Sequence, residues 1–210
     1  MSGFIIYCVI ALVWFFYRAV FRFPEPVDEF LFKPLIFLLP IFLWVRLKER
    51  KSLVSLGISK GNLFKSLLIG LFFGLFFAAE GVAVSAIKYK EVVFNPKNLG
   101  VLGLAGYSLL SLATGFSEEV LNRGFLMNRL WKKWGNEYLA NFVSAFLFTL
   151  THLPAAIFVL KYHLPYDFLT YGLSIFVLGF ADGFVFARTK NIFAPTISHA
   201  LWNWSVILFK

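Results

Sequence analysis

The chain has 210 residues, of which 60% are hydrophobic and 20% aromatic, and its formal net charge is +9. This apolar content exceeds that of ordinary soluble domains, and the apolar residues fall in long runs that a soluble core does not need. Basic residues flank these runs, so orientation in a lipid bilayer explains the positive charge, and nucleic acid is not an expected partner. The single cysteine, Cys8, excludes an internal disulfide and a cysteine-based metal cluster.

Seven apolar segments follow one another, without the short alternating pattern of a transmembrane barrel. They predict an all-α, polytopic transmembrane bundle of about seven helices, within a range of six to eight. Pro34 and Pro40 interrupt the second segment, which we expect to be kinked. The segments cover residues 3–21, 30–45, 63–87, 99–116, 138–153, 167–187 and 192–209.

No repeat, low-complexity tract or long linker divides the chain. We therefore expect one membrane domain over residues 1–210. Its expected location is a membrane that it crosses several times, taken to be the cell (plasma) membrane, with the lipid bilayer as its surroundings.

Ionisable side chains inside apolar segments are functional candidates, because their burial in a bilayer is costly. The sequence "TGFSEEVLNRGFL", residues 114–126, contains three of them. Glu119 and Arg123 have the spacing that places two side chains on one face of a helix, whereas Glu118 is rotated by about 100° from Glu119. Arg123 is therefore predicted to neutralise Glu119 and to leave Glu118 unpaired, which suits a general base. A purely structural ion cluster is the alternative.

Two later stretches add polar groups with helical spacing. In "FLFTLTHLP", Phe148 precedes His152 by one turn and could hold its imidazole in one rotamer. In "SHALWNW", His199 and Asn203 share one face, and two convergent N–H donors could stabilise an oxyanion. The alternatives are a lone interfacial histidine and a polar contact between membrane helices.

Several other catalytic classes lack their sequence patterns. There is no H-E-x-x-H zinc helix and no G-x-S-x-G element, and Cys8 has no neighbouring histidine. Glutamate, two histidines and an asparagine remain, a set able to activate water. Of the other charged groups, we expect Glu80 to pair structurally with Arg123 or a histidine, and Asp182 to bond nearby backbone.

In order, "EEVLNR", "FTLTH" and "HALWN" match the patterns EExxxR, FxxxH and HxxxN. Together they resemble the CAAX-processing and bacteriocin-processing (CPBP, Abi) intramembrane protease family. The resemblance implies glutamate-dependent hydrolysis of peptide bonds within the membrane. It also implies that residues 99–209 form the catalytic core and that residues 1–95 add N-terminal helices.

The same resemblance assigns a role to each motif residue. Glu118 would be the general base, and His152 would help to hold the attacking water. His199 and Asn203 would stabilise the oxyanion. The supporting residues would be Glu119, Arg123 and Phe148.

Two alternatives remain open at the level of sequence. Glu118, His152 and His199 could ligate zinc in a metal-dependent version of the protease, although no cofactor is expected. The chain could also be a non-catalytic membrane scaffold or immunity protein. The expected partner is a hydrophobic peptide or membrane protein, and no residue indicates whether it is prenylated.

The depth of the site poses a geometric problem. Antiparallel helices of equal length would place Glu118 and His152 at opposite membrane faces. We therefore expect residues 117–134 to form a separate, partly inserted helix, since this stretch is too apolar for a loop.

Overall fold

The computed structural model describes residues 2–95 and 103–209, and these residues form seven long helices and one short 3-10 helix, Leu53–Leu56. The predicted all-α bundle is thereby confirmed. Residues 99–102 of the predicted fourth segment lie outside the described residues. The helices are α1 (Ser2–Val20), α2 (Glu25–Lys48), α3 (Leu63–Tyr89), α4 (residues 103–134), α5 (Glu137–Val159), α6 (Pro165–Thr189) and α7 (Phe193–Leu208).

Five of these helices, α1, α2, α3, α5 and α6, are long and apolar enough to cross a bilayer. Large apolar side chains point outward from them, among them Phe64, Phe72 and Phe76 of α3. An outer surface of this kind is suited to lipid and not to water. The chain is therefore an integral membrane protein. Helix α7 is shorter, with 16 residues, and packs against α3, α4 and α6.

Helix α4 differs from the prediction for residues 117–134. This stretch continues the preceding helix without a break, so a separate helix there is wrong. An α-helical part, Gly103–Glu119, leads into a π-helical part, Val120–Met127, and then into Asn128–Trp134. Because α4 is so long, Glu118 lies near its middle. The continuous helix brings Glu118 to the level of His152 in α5, with their side chains 3.6 Å apart.

Buried polar contacts hold the π-helical part of α4 in place. The side-chain amide of Asn122 donates to the backbone oxygen of Glu118 at 2.7 Å and accepts from the hydroxyl of Tyr7 in α1 at 2.9 Å. Ser144 of α5 donates to the backbone oxygen of Asn122 at 2.9 Å. Wider π turns recur at functional sites. Here they tie the residues after Glu118 to two neighbouring helices.

Helix α2 is irregular, as its prolines lead one to expect. Pro34 and Pro40 have no backbone N–H and cannot donate to the helical ladder. Three π-helical parts occur within α2, namely Asp28–Phe32, Pro34–Leu38 and Trp44–Lys48. The first part of α2 packs against α4 and brings polar side chains beside Glu118.

Glycines allow α7 to approach its neighbours closely. A Cβ atom at Gly70 of α3 would lie 3.0 Å from the Cα of Ala194, and one at Gly115 of α4 would lie 3.1 Å from the backbone oxygen of Thr196. Small residues of this kind let membrane helices pack backbone to backbone. They fix the position of α7, and thereby of His199, relative to α4.

Candidate active site

The three sequence motifs meet in the middle of the bundle. Glu118 of α4 places its Oε2 atom 3.6 Å from Nε2 of His152 in α5 and 3.7 Å from Nε2 of His199 in α7. Both distances exceed that of a hydrogen bond. Three polar atoms from three helices therefore lie close together, and neither imidazole nitrogen bonds Oε2 directly.

Contacts behind His152 fix the orientation of its ring. Its Nδ1 atom lies 3.0 Å from the backbone oxygen of Phe148, which can only accept, so Nδ1 carries the proton. Its Nε2 atom then faces Glu118. The ring of Phe148 packs edge-on against His152, with centroids 4.6 Å apart, and against His199 at 5.9 Å. Phe148 thus touches both imidazoles, and it contacts His152 as predicted for holding one rotamer.

Glu119 and Arg123 form the predicted ion pair. Their Oε1 and NH1 atoms are 2.8 Å apart, and both side chains are fully buried. Arg123 also donates to the backbone oxygen of Gly179 at 2.5 Å and stacks over the ring of Phe148, 4.6 Å from its centroid. The Nδ1 atom of His199 lies 2.9 Å from the same Glu119 oxygen. Glu119 therefore links Arg123 to His199.

Glu118, in contrast, is not unpaired, and this prediction is wrong. Its Oε1 atom accepts a hydrogen bond from Nζ of Lys33 in α2 at 2.8 Å. Lys33 also contacts Glu29, one turn earlier, at 2.6 Å. The spacing of residues within one helix cannot predict a pair between two helices. The sequence did contain a signal, because Lys33 is a charged residue inside the second apolar segment. Charged residues in such segments are functional candidates.

A cavity of about 470 Å³ adjoins this cluster. Glu118, His152 and Asn203 line it, whereas His199 is not among its lining residues and is 3% exposed. The volume falls in the usual range of ligand pockets. Apolar and polar side chains share the remaining wall, including Phe37, Tyr107, Leu110, Thr114, Thr151 and Tyr171.

The two remaining charged candidates differ from expectation. Asp182 of α6 is fully buried, and its carboxylate makes no hydrogen bond to backbone among the described residues. Its Oδ2 atom lies 4.0 Å from Nδ1 of His199. Glu80 is exposed on α3, and within residues 2–95 and 103–209 it forms no ion pair with Arg123 or with a histidine. Asp182 therefore belongs to the cluster and Glu80 does not.

One group of side chains could in principle hold a cation. Glu119, Asp182 and His199 each offer a ligand atom, and these atoms lie within 4.8 Å of one another. The guanidinium of Arg123 already binds Glu119 at 2.8 Å and places a positive charge against the group. The same arrangement also works without an ion, with Arg123 balancing one carboxylate.

We expect Arg123→Ala to lower the free energy of unfolding by about 3–5 kcal/mol, because it leaves Glu119 buried without its cation. Arg188→Ala is the matched control: Arg188 pairs with Glu137 but is exposed, and its loss should cost less than about 1 kcal/mol. Thermal unfolding and the yield of monodisperse protein in detergent measure the difference. Equal melting temperatures for the two variants would contradict the supporting role of Arg123.

The fold and this cluster together define a helical membrane protein with a buried glutamate–histidine site facing a cavity. Residues 100–205 match the family model described as type II CAAX prenyl endopeptidase Rce1-like. The chain belongs to this family, which confirms the resemblance seen in the three motifs, and membership implies that it is a protease. No curated protein and no solved structure matched the chain. Lys33 and Glu29 lie outside the matched residues.

Proposed function

We propose that the chain is a glutamate-dependent intramembrane endopeptidase, which hydrolyses a peptide bond in a hydrophobic or membrane-associated peptide or protein. The observation that carries this proposal is the position of Glu118. Its Oε2 atom lies beside two imidazole nitrogens, at 3.6 and 3.7 Å, on the wall of a cavity of about 470 Å³. A carboxylate in such a place can take a proton from a water molecule held between these groups.

The proposed reaction assigns one role to each group. Glu118 accepts a proton from water while the water oxygen bonds to the carbonyl carbon of the substrate, and His152 holds the same water through Nε2. The carbonyl oxygen becomes an oxyanion, which Asn203 stabilises with its side-chain N–H. The C–N bond then breaks, and Glu118 returns its proton to the leaving amine.

His199 is the second group proposed to stabilise the oxyanion. Its Nδ1 atom donates to Glu119, so its Nε2 atom offers a proton only when the ring is doubly protonated. In that form the positive ring faces Glu119 and Asp182, while Arg123 balances one of these carboxylates. A charged His199 is thus compatible with its surroundings and could serve the oxyanion.

A zinc-dependent version is less consistent with the site. A metal bound to Glu118 would share that carboxylate with the ammonium group of Lys33, 2.8 Å from Oε1, and the two positive charges would repel each other. A non-catalytic scaffold would not need a cluster of ionisable side chains beside a cavity, and burying such a cluster in a membrane costs free energy. Both alternatives remain outcomes of the experiments below.

Comparative proteomics tests the proposed function. Membrane peptides from cells that produce the wild-type protein are compared with those from cells that produce Glu118→Gln at equal abundance. We expect new peptide termini in hydrophobic segments with the wild-type protein only, and their sequences identify the substrate, including whether it is prenylated. Identical peptide sets, together with full cellular function of the variant, would favour the scaffold.

A further inference from the structure

Lys33 has the surroundings of a residue with a specific task. Its side chain is 4% exposed, although it belongs to an apolar helix. The ammonium group contacts Glu29 of its own helix at 2.6 Å and Glu118 of α4 at 2.8 Å, and lies 5.4 Å from the ring centroid of Trp14 in α1. Three helices thus converge on one buried positive charge.

The contact with Glu118 makes the two oxygens of that carboxylate different. Oε1 accepts from Lys33, whereas Oε2 is buried, makes no hydrogen bond to the described residues, and faces the two imidazoles. We infer that Lys33 is a positioning residue: it holds Oε1 of Glu118 and thereby directs Oε2 toward the water that the reaction consumes. This inference rests on the proposed function and adds a residue outside the family match, residues 100–205.

Lys33 is itself held in place. Glu29 binds its ammonium group, and Thr114 of α4 donates to Oε2 of Glu29 at 2.7 Å. The ammonium group of Lys33 has three N–H donors, and it donates to both Glu29 and Glu118. Its charge also offsets that of Glu118 in a setting of low dielectric, where an isolated carboxylate would be costly.

The groups around Glu118 allow the role to be tested separately. Lys33 faces Oε1, His152 and His199 face Oε2, and Glu29 lies beyond Lys33. Lys33→Met removes the positive charge and keeps an unbranched side chain of similar length. The double variant Lys33→Met with Glu29→Gln also removes the carboxylate of Glu29. Glu29 is then not left buried without its cation, and the variant is less prone to unfold. Lys48→Met, at an exposed position of the same helix, is the matched control.

Infrared spectroscopy provides a readout that needs no substrate. Without Lys33, the protonated form of Glu118 becomes more favourable, because the nearest positive charge is lost. We expect a carbonyl band of a protonated carboxyl group to appear in Lys33→Met and in the double variant. In the double variant, where Glu29 is already glutamine, the band should vanish when Glu118→Gln is added. Lys48→Met should lack the band. A Lys33→Met spectrum identical to that of the wild type would overturn the inference, whatever the activity.

Turnover provides the second readout, with an internally quenched farnesylated peptide ending in a CAAX sequence as the probe. We expect Lys33→Met to lower kcat by about 10²-fold, the scale of a misplaced catalytic group, with little change in KM, and Lys33→Arg to restore part of it. In the Glu118→Gln background, Lys33→Met should cost nothing more. A further loss there would overturn the role assigned to Lys33, whereas full activity of Glu118→Gln itself would overturn the proposed function.

Discussion

Replacing Glu118 by glutamine is expected to lower the turnover number by about 10²–10⁴-fold, the contribution of a general base. Glutamine keeps the shape of the side chain, and its amide oxygen can still accept from Lys33. The variant loses the negative charge and, with it, the capacity to take a proton from water. Because Lys33 retains Glu29 at 2.6 Å, we expect the variant to accumulate in membranes and to melt near the wild-type temperature.

The measurement is the rate of cleavage of the quenched farnesylated peptide by purified protein in proteoliposomes. Glu80→Gln is the matched control, because it makes the same change at an exposed position of a membrane helix. We expect this control to cleave at the wild-type rate. A Glu118→Gln protein that cleaves as fast as Glu80→Gln would contradict the mechanism.

The second large effect concerns the pair His199 and Asn203 on α7. Each is expected to act mainly on the oxyanion of the transition state, so removal of either by alanine should lower kcat by about 10²–10³-fold. Substrate affinity should change little. Because both residues are proposed to serve the same oxyanion, we expect the double variant to be only slightly worse than the worse single one.

The chain contains another histidine that serves as a control for the His199 and Asn203 variants. His163 is exposed and lies in the connection between α5 and α6, so His163→Ala should cleave at the wild-type rate. Steady-state kcat and KM of the four variants, measured beside their melting temperatures, separate catalytic loss from unfolding. Strictly additive losses in the double variant would mean that His199 and Asn203 act in different steps.

Local spacing predicted the parts of the site that lie within one helix. Glu119 with Arg123 follows from the geometry of a helical turn, and so does Phe148 with His152. In each case the side chains lie on one face whatever surrounds them. Hydropathy likewise predicted the helical bundle, because apolar runs of sufficient length leave few other structures within a bilayer.

Contacts between helices were beyond the reach of the sequence. Lys33 and Glu118 are far apart in the chain, and their pairing depends on how α2 rotates and slides against α4. The position of Asp182 beside His199 depends in the same way on α6 and α7. The relative position of two helices depends on how closely they pack. At Gly70 and Gly115, for example, the absence of a Cβ atom allows α7 to approach α3 and α4.

Metal content measured together with turnover tests most directly whether Glu118 activates water without a metal ion. Purified wild-type protein, His199→Ala and Asn203→Ala are analysed by elemental mass spectrometry, and the same samples are assayed with the quenched peptide in the presence of a strong chelator. We expect wild-type cleavage to persist in the chelator without stoichiometric metal, and both variants to lose turnover. Stoichiometric zinc in the wild type, lost with activity in His199→Ala but kept in Asn203→Ala, would contradict the claim that Glu118 activates water without a metal ion.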